Sequence, residues 1–271
     1  MKVNGYFKNK NYVIIGAANG FGKSLACDLA DKKANLFLFD IDKSLKKLCQ
    51  DLSKKTKCKG NTFDLINYHE AAEKIIKMLG PQGFDGFVYF PRGRQKYPYS
   101  YLNEERFRND LSLNVESLMY IFHKLWKKKK VNKNASVVFI SSVTANYIGS
   151  ESISYSMSKS ALESMCRYLA VEFGPKNHIR INSVQLGYIV KDEFKEKFYS
   201  ENNKDYKFWA QRIQPLRRVG HNKDVVDPIK FLLSDAASFM TGQVLVIDGG
   251  LSIQEHGYLV REFMRDKEEN S

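Results

Sequence analysis

Tyr155 and Lys159 are the residues of this sequence best suited to move a proton. They stand four apart in a stretch with helical periodicity, so their side chains share one helix face. A tyrosine hydroxyl ionises near pH ~10 and is a poor acid or base at neutrality, but a neighbouring ammonium favours the phenolate and draws that value toward working pH. Together the two make a proton-transfer group. Ser142 stands 13 residues before Tyr155, at the end of an apolar run, where its hydroxyl could bind and polarise a substrate oxygen. A tyrosine and a lysine at this spacing also describe an ordinary helix surface, so the elements that carry them must decide.

A second cluster suits phosphate binding. Gly16-Ala17-Ala18-Asn19-Gly20-Phe21-Gly22 joins the short apolar run Tyr12 to Ile15 to the helical stretch Lys23 to Ala30. Glycines at a strand–helix junction let backbone approach a diphosphate, and the helix start offers unpaired N–H groups and a partial positive charge. The next apolar run, Leu36 to Phe39, ends at Asp40, 18 positions beyond Gly22. From there a carboxylate can accept hydrogen bonds from an adenosine ribose and repel a 2′-phosphate, which predicts NAD rather than NADP. Helix capping is the competing role, one that Asp42 could equally fill. Asp64, after the third strand, could accept from the adenine amino group.

The elements needed to position these groups are legible. Lys59 to Phe63, Gly86 to Phe90, Ala135 to Ile140, His178 to Val184 and Val244 to Ile247 read as further strands. Ser44 to Leu52, His69 to Leu79, Glu104 to Trp126 and Tyr155 to Phe173 read as helices, the last stopping at Gly174-Pro175. Strands alternating with helices predict a single α/β domain over residues 1–271, doubly wound and Rossmann-type, with a mainly parallel sheet of about seven strands. Residues 188–218 form a long charged and aromatic insertion, expected to be a substrate lid, and 254–271 form a carboxyl-terminal extension.

Bulk composition is that of an ordinary folded chain: 271 residues, 43% hydrophobic and 27% charged. No apolar run reaches the roughly 20 residues of a membrane span, and Met1 to Lys10 lacks the apolar centre of a secretory leader, so the expected location is cytoplasmic. The four cysteines show neither CxxC spacing nor a histidine cluster, which argues against a metal site. The +13 charge is lysine interspersed with acids on helix surfaces, so neither nucleic acid nor membrane is an expected partner.

Taken together, these motifs resemble the short-chain dehydrogenase/reductase family over nearly the whole chain, from Tyr12 to Ile253. Gly16, Gly20 and Gly22 match the family's TGxxxGxG; Asn114, Ser142, Tyr155 and Lys159 match its catalytic residues. Phe231-Leu232-Leu233-Ser234-Asp235, Thr241-Gly242-Gln243 and Asp248-Gly249-Gly250 look like its carboxyl-terminal signature. The resemblance implies hydride transfer between a nicotinamide cofactor and an alcohol/ketone pair. Tyr155 would be the general acid/base, Lys159 would lower its pKa and bind the nicotinamide ribose, Ser142 would hold the carbonyl oxygen, and Asn114 would hold a relay water. The implied cofactor set is Gly16, Asn19, Gly20, Phe21, Gly22, Asp40, Asp64, Leu65, Tyr155, Lys159, Gly187 and Ile189.

Three departures stand out. Ile15 replaces the family's threonine, Tyr89-Phe90-Pro91-Arg92 replaces NNAG, and Leu186-Gly187 replaces proline-glycine, with Lys191 where a threonine often contacts the nicotinamide amide. Altered loops of this kind would suit a cofactor-binding sensor or scaffold without turnover, the alternative to an enzyme. Arg92 and Arg94, after strand four, point to a substrate with an anionic or strongly polar group such as a carboxylate, a phosphate or a nucleotide, or else turn outward to pair with Glu104 and Glu105; the resemblance admits a sugar derivative or an oxoacyl thioester. Family members commonly pair two helices across a twofold axis, so a homotetramer is expected, using Met165, Leu169 and Phe173, with Tyr258, Leu259, Phe263 and Met264 reaching a neighbouring subunit.

Overall fold

The computed structural model describes residues 6–91 and 99–268. Strands and helices alternate as β1 (Asn11–Ile15), α1 (Gly20–Asp31), β2 (Asn35–Asp40), α2 (Leu45–Ser53), β3 (Cys58–Thr62), α3 (Tyr68–Leu79) and β4 (Phe84–Tyr89). There follow α4 (Glu104–Leu111), α5 (Ser117–Lys127), β5 (Val131–Ser142), α6 (Ile153–Asn177), β6 (Arg180–Leu186), α7 (Lys195–Tyr199), α8 (Lys204–Arg212), α9 (Asn222–Leu233), β7 (Val244–Ile247) and α10 (His256–Glu268). All seven strands are parallel, in the order β3-β2-β1-β4-β5-β6-β7. Among the described residues no helix is long and apolar enough to cross a membrane.

Helices on both faces explain why the inner strands are buried along their length: every residue of β1 is buried, and so is every residue of β6, its Arg180, Asn182, Ser183 and Gln185 included. Strand alternation sends Val13 and Ile15 to one face, with Ile75, Phe122 and Cys166, and sends Tyr12 and Ile14 to the other, with Leu25, Leu29 and Ile229. The edge strand β3 exposes Lys59, Gly60 and Asn61, polar and small as an edge requires. Strand order reverses at β1 and β4, opening a crevice beyond their carboxyl ends where open α/β sheets bind ligands.

Two helices depart from expectation. The helix expected from Glu104 to Trp126 is interrupted by a π turn at Ser112–Glu116. A π turn displaces carbonyls from their usual partners, and side chains take them up: the Asn114 amide donates to the Asp110 carbonyl (2.8 Å) and the Ser117 hydroxyl to that of Leu113 (2.9 Å). Helix α6 does not stop at Gly174-Pro175 but continues to Asn177. Pro175 forfeits only a bond to the Val171 carbonyl, at a position exposed enough (79%) for water to satisfy it. The helix ends at His178, in the left-handed region (φ 52°). Strand β5 starts at Val131, earlier than Ala135, and β6 lies two residues later than expected.

The residues expected to pair subunits are turned inward. Phe173 is buried against Phe122 and Trp126, and Met165 and Leu169 pack on the same core. Ile153, Met157, Tyr168 and Val171 are the exposed large apolar positions of α6. Helix α10 likewise folds onto its own chain: Phe263 meets Trp209 of α8 edge to face (4.9 Å between centroids), and Glu262 pairs with Arg217 (3.1 Å). Tyr258 and Met264 face solvent.

Candidate active site

The floor of the site is the turn after β1. Gly16 has a φ of 84°, and a Cβ on Gly22 would stand 2.0 Å from the Gly16 carbonyl oxygen, so glycine alone lets the turn tuck beneath the start of α1. Asn19 precedes the helix in extended conformation, yet its amide donates to Asp42 Oδ2 (2.8 Å) instead of its side chain capping the first turn, which carries no acid. A helix start left in this condition suits an anion.

Asp40 stands at the end of β2 with its carboxylate turned over this loop. Its Oδ2 accepts from the Ala18 N–H (2.8 Å) and its Oδ1 from that of Asp42 (3.0 Å). Asp42 repeats this local turn bond two residues on, accepting from the Ser44 N–H (2.8 Å). That bond, with the Ser44 hydroxyl and the Asn19 amide, holds the Asp42 carboxyl below the usual carboxylate range. Asp64 caps the short turn after β3 by accepting from the Ile66 N–H (3.0 Å), and the Leu65 side chain is buried in the core.

At the far end, β5 delivers Ser142 and α6 delivers Tyr155 and Lys159. Ser152 caps α6, its hydroxyl oxygen accepting from the Tyr155 N–H (3.3 Å). Tyr155 is 3% exposed and Lys159 2%. The Lys159 ammonium donates to the Ile140 carbonyl (2.9 Å) and lies 5.5 Å from the centre of the Tyr155 ring. Ser142 Oγ accepts from the Thr144 N–H (3.3 Å), which leaves its own proton available.

Two buried acids that sequence reasoning missed brace this end. Glu163, one turn beyond Lys159, accepts from the Ser141 hydroxyl (2.6 Å) and the Gln185 amide (2.8 Å), tying α6 to β5 and β6. Asp110 of α4 accepts from the hydroxyls of Ser152 (3.3 Å) and Ser154, holding the start of α6 against the helix before Asn114. Their signal was faint: an acid four residues after Lys159, and another four before Asn114, on faces otherwise committed to burial.

The unusual loop residues have partners of their own. Ile15 is fully buried in the core, and backbone bonds join the strand ends, from Phe90 N–H to the Ile15 carbonyl (3.0 Å) and from Gly16 N–H to that of Phe39 (2.7 Å). The buried Tyr89 hydroxyl bonds the Leu113 carbonyl (2.9 Å) and Ser117 Oγ (2.7 Å), fastening β4 to the π turn; burial pushes its pKa up. Gly187 N–H donates to the Ile247 carbonyl (3.0 Å), holding the end of β6 to β7.

Gly16, Asn19, Phe21, Gly22, Asp40, Ser142, Tyr155, Lys159, Gly187 and Ile189 all border one cleft of about 1180 Å³. Gly20, Asp64, Leu65 and Asn114 are set back from its wall, and Arg92 and Arg94 lie outside the described residues. Residues of the 188–218 segment cover the other end. Phe198 is buried with Val190, Ala210 and Val219, while Phe194 and Tyr206 face the cleft and Leu259 of α10 joins them. Phe208 and Trp209 pack on each other outside the cleft. The insertion is anchored by Arg218, whose guanidinium makes two bonds to Asp224 (2.7 and 2.8 Å).

Residues 16–252 match a family model described as enoyl-(acyl carrier protein) reductase. The chain belongs to the short-chain dehydrogenase/reductase family. It is 30% identical over 261 residues to an L-rhamnose 1-dehydrogenase (NADP(+)) of Thermoplasma acidophilum, covering 91% of this chain and 98% of that one. It is 26% identical to an NAD-dependent glycerol dehydrogenase of Listeria innocua, over 91% and 95% of the two chains. A solved structure from Brucella melitensis, a short-chain dehydrogenase/reductase described as a glucose/ribitol dehydrogenase, superposes with a TM-score of 0.79 at 26% identity, covering 91% and 98%. This short-chain dehydrogenase/reductase is thus an NAD(P)-linked oxidoreductase acting on CH–OH and C=O groups. The glycine turn and the uncapped start of α1 fit such a dinucleotide.

Proposed function

We propose that this enzyme interconverts an alcohol and a ketone on a small hydroxyl-rich substrate, with NAD preferred over NADP, and that residues 1–271 form one catalytic unit with 188–218 as the lid. The observation that carries the reading is the pairing of buried Tyr155 and Lys159 beside Ser142, at the opposite end of the cleft from Asp40 and the glycine turn. A bound nicotinamide dinucleotide supplies or takes up the hydride; the chain positions the reacting carbon and handles the proton. In reduction, the Tyr155 hydroxyl gives its proton to the carbonyl oxygen, and in oxidation the phenolate takes it back. The Lys159 ammonium is held in place by the Ile140 carbonyl, 5.5 Å from the centre of the Tyr155 ring, where it also lines the cleft. Ser142 donates to the substrate oxygen and fixes its approach. Asn114, on the π turn packed against α6, connects the proton path to solvent.

The NAD preference is supported by the Asp40 carboxylate, which would meet a 2′-phosphate with like charge. The substrate class is supported by polar groups at the lid end, among them Tyr147, Glu151, Asn203 and Gln254, and by the sugar and polyol substrates in the names of the relatives. The test is to follow nicotinamide absorbance with a panel of aldoses, polyols and their keto forms, each with NAD and NADP, against oxoacyl thioesters and apolar ketones. Turnover confined to the apolar ketones or thioesters would overturn the substrate class.

A further inference from the structure

We propose that Lys191 is a diphosphate ligand of the dinucleotide, an ammonium brought to the start of α1 by the root of the lid. The proposal rests on the reading that the cleft holds a nicotinamide dinucleotide.

Its backbone is fixed on both sides. Val190 N–H donates to the Gly220 carbonyl (2.9 Å), and Ile189 and Gly220 form a parallel bridge. On the other side the Asp192 N–H donates to Asn222 Oδ1 (3.2 Å), and the Asn222 amide donates in turn to Ser24 Oγ (2.7 Å) in α1. The root of Lys191 is therefore bonded, through one side chain, to the helix whose start it overlooks.

From that root the side chain lies along the helix opening. A Cβ on Gly20, the first residue of α1, would stand 3.0 Å from Cδ, Cε and Nζ of Lys191, and Nζ lies 5.6 Å from the centre of the Phe21 ring. An ammonium at the positive end of a helix is unfavourably placed, since cations are stabilised at the opposite end. Glu193 stands 3.9 Å from the ammonium on the solvent side. An anion seated between the helix start and the ammonium reverses the sign of the interaction. The diphosphate is the part of the dinucleotide that a glycine-rich helix start receives, and a lysine serves it as a point charge. The fixed backbone means that little freedom remains to be lost on binding. NAD and NADP carry the same diphosphate, so Lys191 strengthens both without choosing between them, leaving that choice to Asp40. Because Lys191 opens the 188–218 segment, the same contact couples lid and cofactor.

The test is calorimetric titration of NADH, and of ADP-ribose, which keeps the diphosphate and lacks the nicotinamide, into the unmodified protein and into Lys191→Met, Lys191→Thr and Lys191→Arg. Methionine keeps an apolar stem against Gly20, and a melting curve of each ligand-free variant checks its fold. We expect Met and Thr to weaken both ligands about tenfold, or ~1.4 kcal/mol, and Arg to stay within about threefold of the unmodified protein. The loss should shrink as salt rises from about 0.1 to about 1 M and the screening length contracts from ~10 to ~3 Å. Loss of NADH affinity alone would move the contact to the nicotinamide end and overturn the proposal. Equal affinity in all proteins, or a loss indifferent to salt, would also overturn it. If the unmodified protein bound neither ligand, the reading of the cleft itself would fall, an outcome distinct from a cleft that binds and does not need Lys191.

Discussion

Glu163→Ala tests whether the Tyr155–Lys159 end of the cleft is held by the polar cluster beneath it. Glu163 is 5% exposed, and its Oε1 accepts from two groups that are themselves 2% exposed, the Ser141 hydroxyl and the Gln185 amide. Truncation to alanine leaves both donors buried without this acceptor, at ~1–3 kcal/mol each. The serine hydroxyl can rotate, which places its share at the low end, but the space vacated by the carboxyl and a methylene adds to the cost. A total of about 3 kcal/mol follows. For a chain of this size each kcal/mol lowers the melting temperature by ~2–4 °C, so the expected fall is about 9 °C. Glu163→Gln keeps an acceptor oxygen and should stay within about 1 kcal/mol. Because Ser141 adjoins Ser142 and Glu163 lies one turn from Lys159, turnover should fall in the alanine variant more than NADH affinity does. Thermal unfolding and steady-state kinetics read both quantities. A melting temperature within 2 °C of the unmodified protein would refute the reasoning.

Tyr155→Phe should reduce turnover to below a few per cent while leaving NADH binding by calorimetry nearly unchanged, because it removes the transferable proton alone. Asp40→Ala should narrow the NAD preference by about tenfold, the effect of one charge worth ~1–2 kcal/mol at a partly screened site; tighter binding of NADPH than NADH by the unmodified protein would refute the ribose assignment. The bond from Arg218 holds the Asp224 carboxyl below the usual carboxylate range. The stability it contributes is therefore complete above about pH 4 and lost as pH falls through that depressed value. Arg218→Met should cost at most ~1 kcal/mol at pH 7, since the pair is partly exposed, and the gap should narrow in chemical denaturation once pH falls below the ordinary aspartate value of about 4. Light scattering at micromolar concentration should give a tetramer mass, with Met119, Met157, Tyr168 and Val171 as exposed apolar contacts; a monomer would refute it.

How far the sequence exposed this molecule depended on the period of each signal. Strands such as β1 were legible because burial on both faces favours an unbroken apolar run, whereas β6 is buried throughout yet carries four polar residues. Tyr155, Lys159 and Asp40 were legible because helical spacing and a strand end fix where such side chains point. The π turn was not, since one extra residue in a helical turn leaves the apolar pattern of 104–126 nearly intact while rotating everything after it. Nor was the continuation of α6 through Pro175, because an outward-facing carbonyl can go to water and the local stop signal overstated the penalty. The inward turn of Met165, Leu169 and Phe173 was missed for a related reason: sequence marks a residue as apolar but does not say which of two apolar surfaces receives it.

The site acids were hardest to see because they break the rule that makes helices readable. On α6 the face toward the sheet carries Ser154, Tyr155, Ser158, Lys159 and Glu163, all buried and all capable of hydrogen bonding. A purely apolar face would pack as well and would be obvious in sequence, but it would leave the tyrosine and the lysine without fixed partners in a place where water cannot supply them. Three of the five have instead a bond to another element, Ser154 to Asp110, Lys159 to the Ile140 carbonyl and Glu163 to Ser141 and Gln185, while the Ser158 hydroxyl donates to the Tyr155 carbonyl within α6. Tyr155 and Lys159 are thus flanked by a series of buried polar contacts running from α4 to β6. The same contacts that set the geometry of the site blur its helical signature.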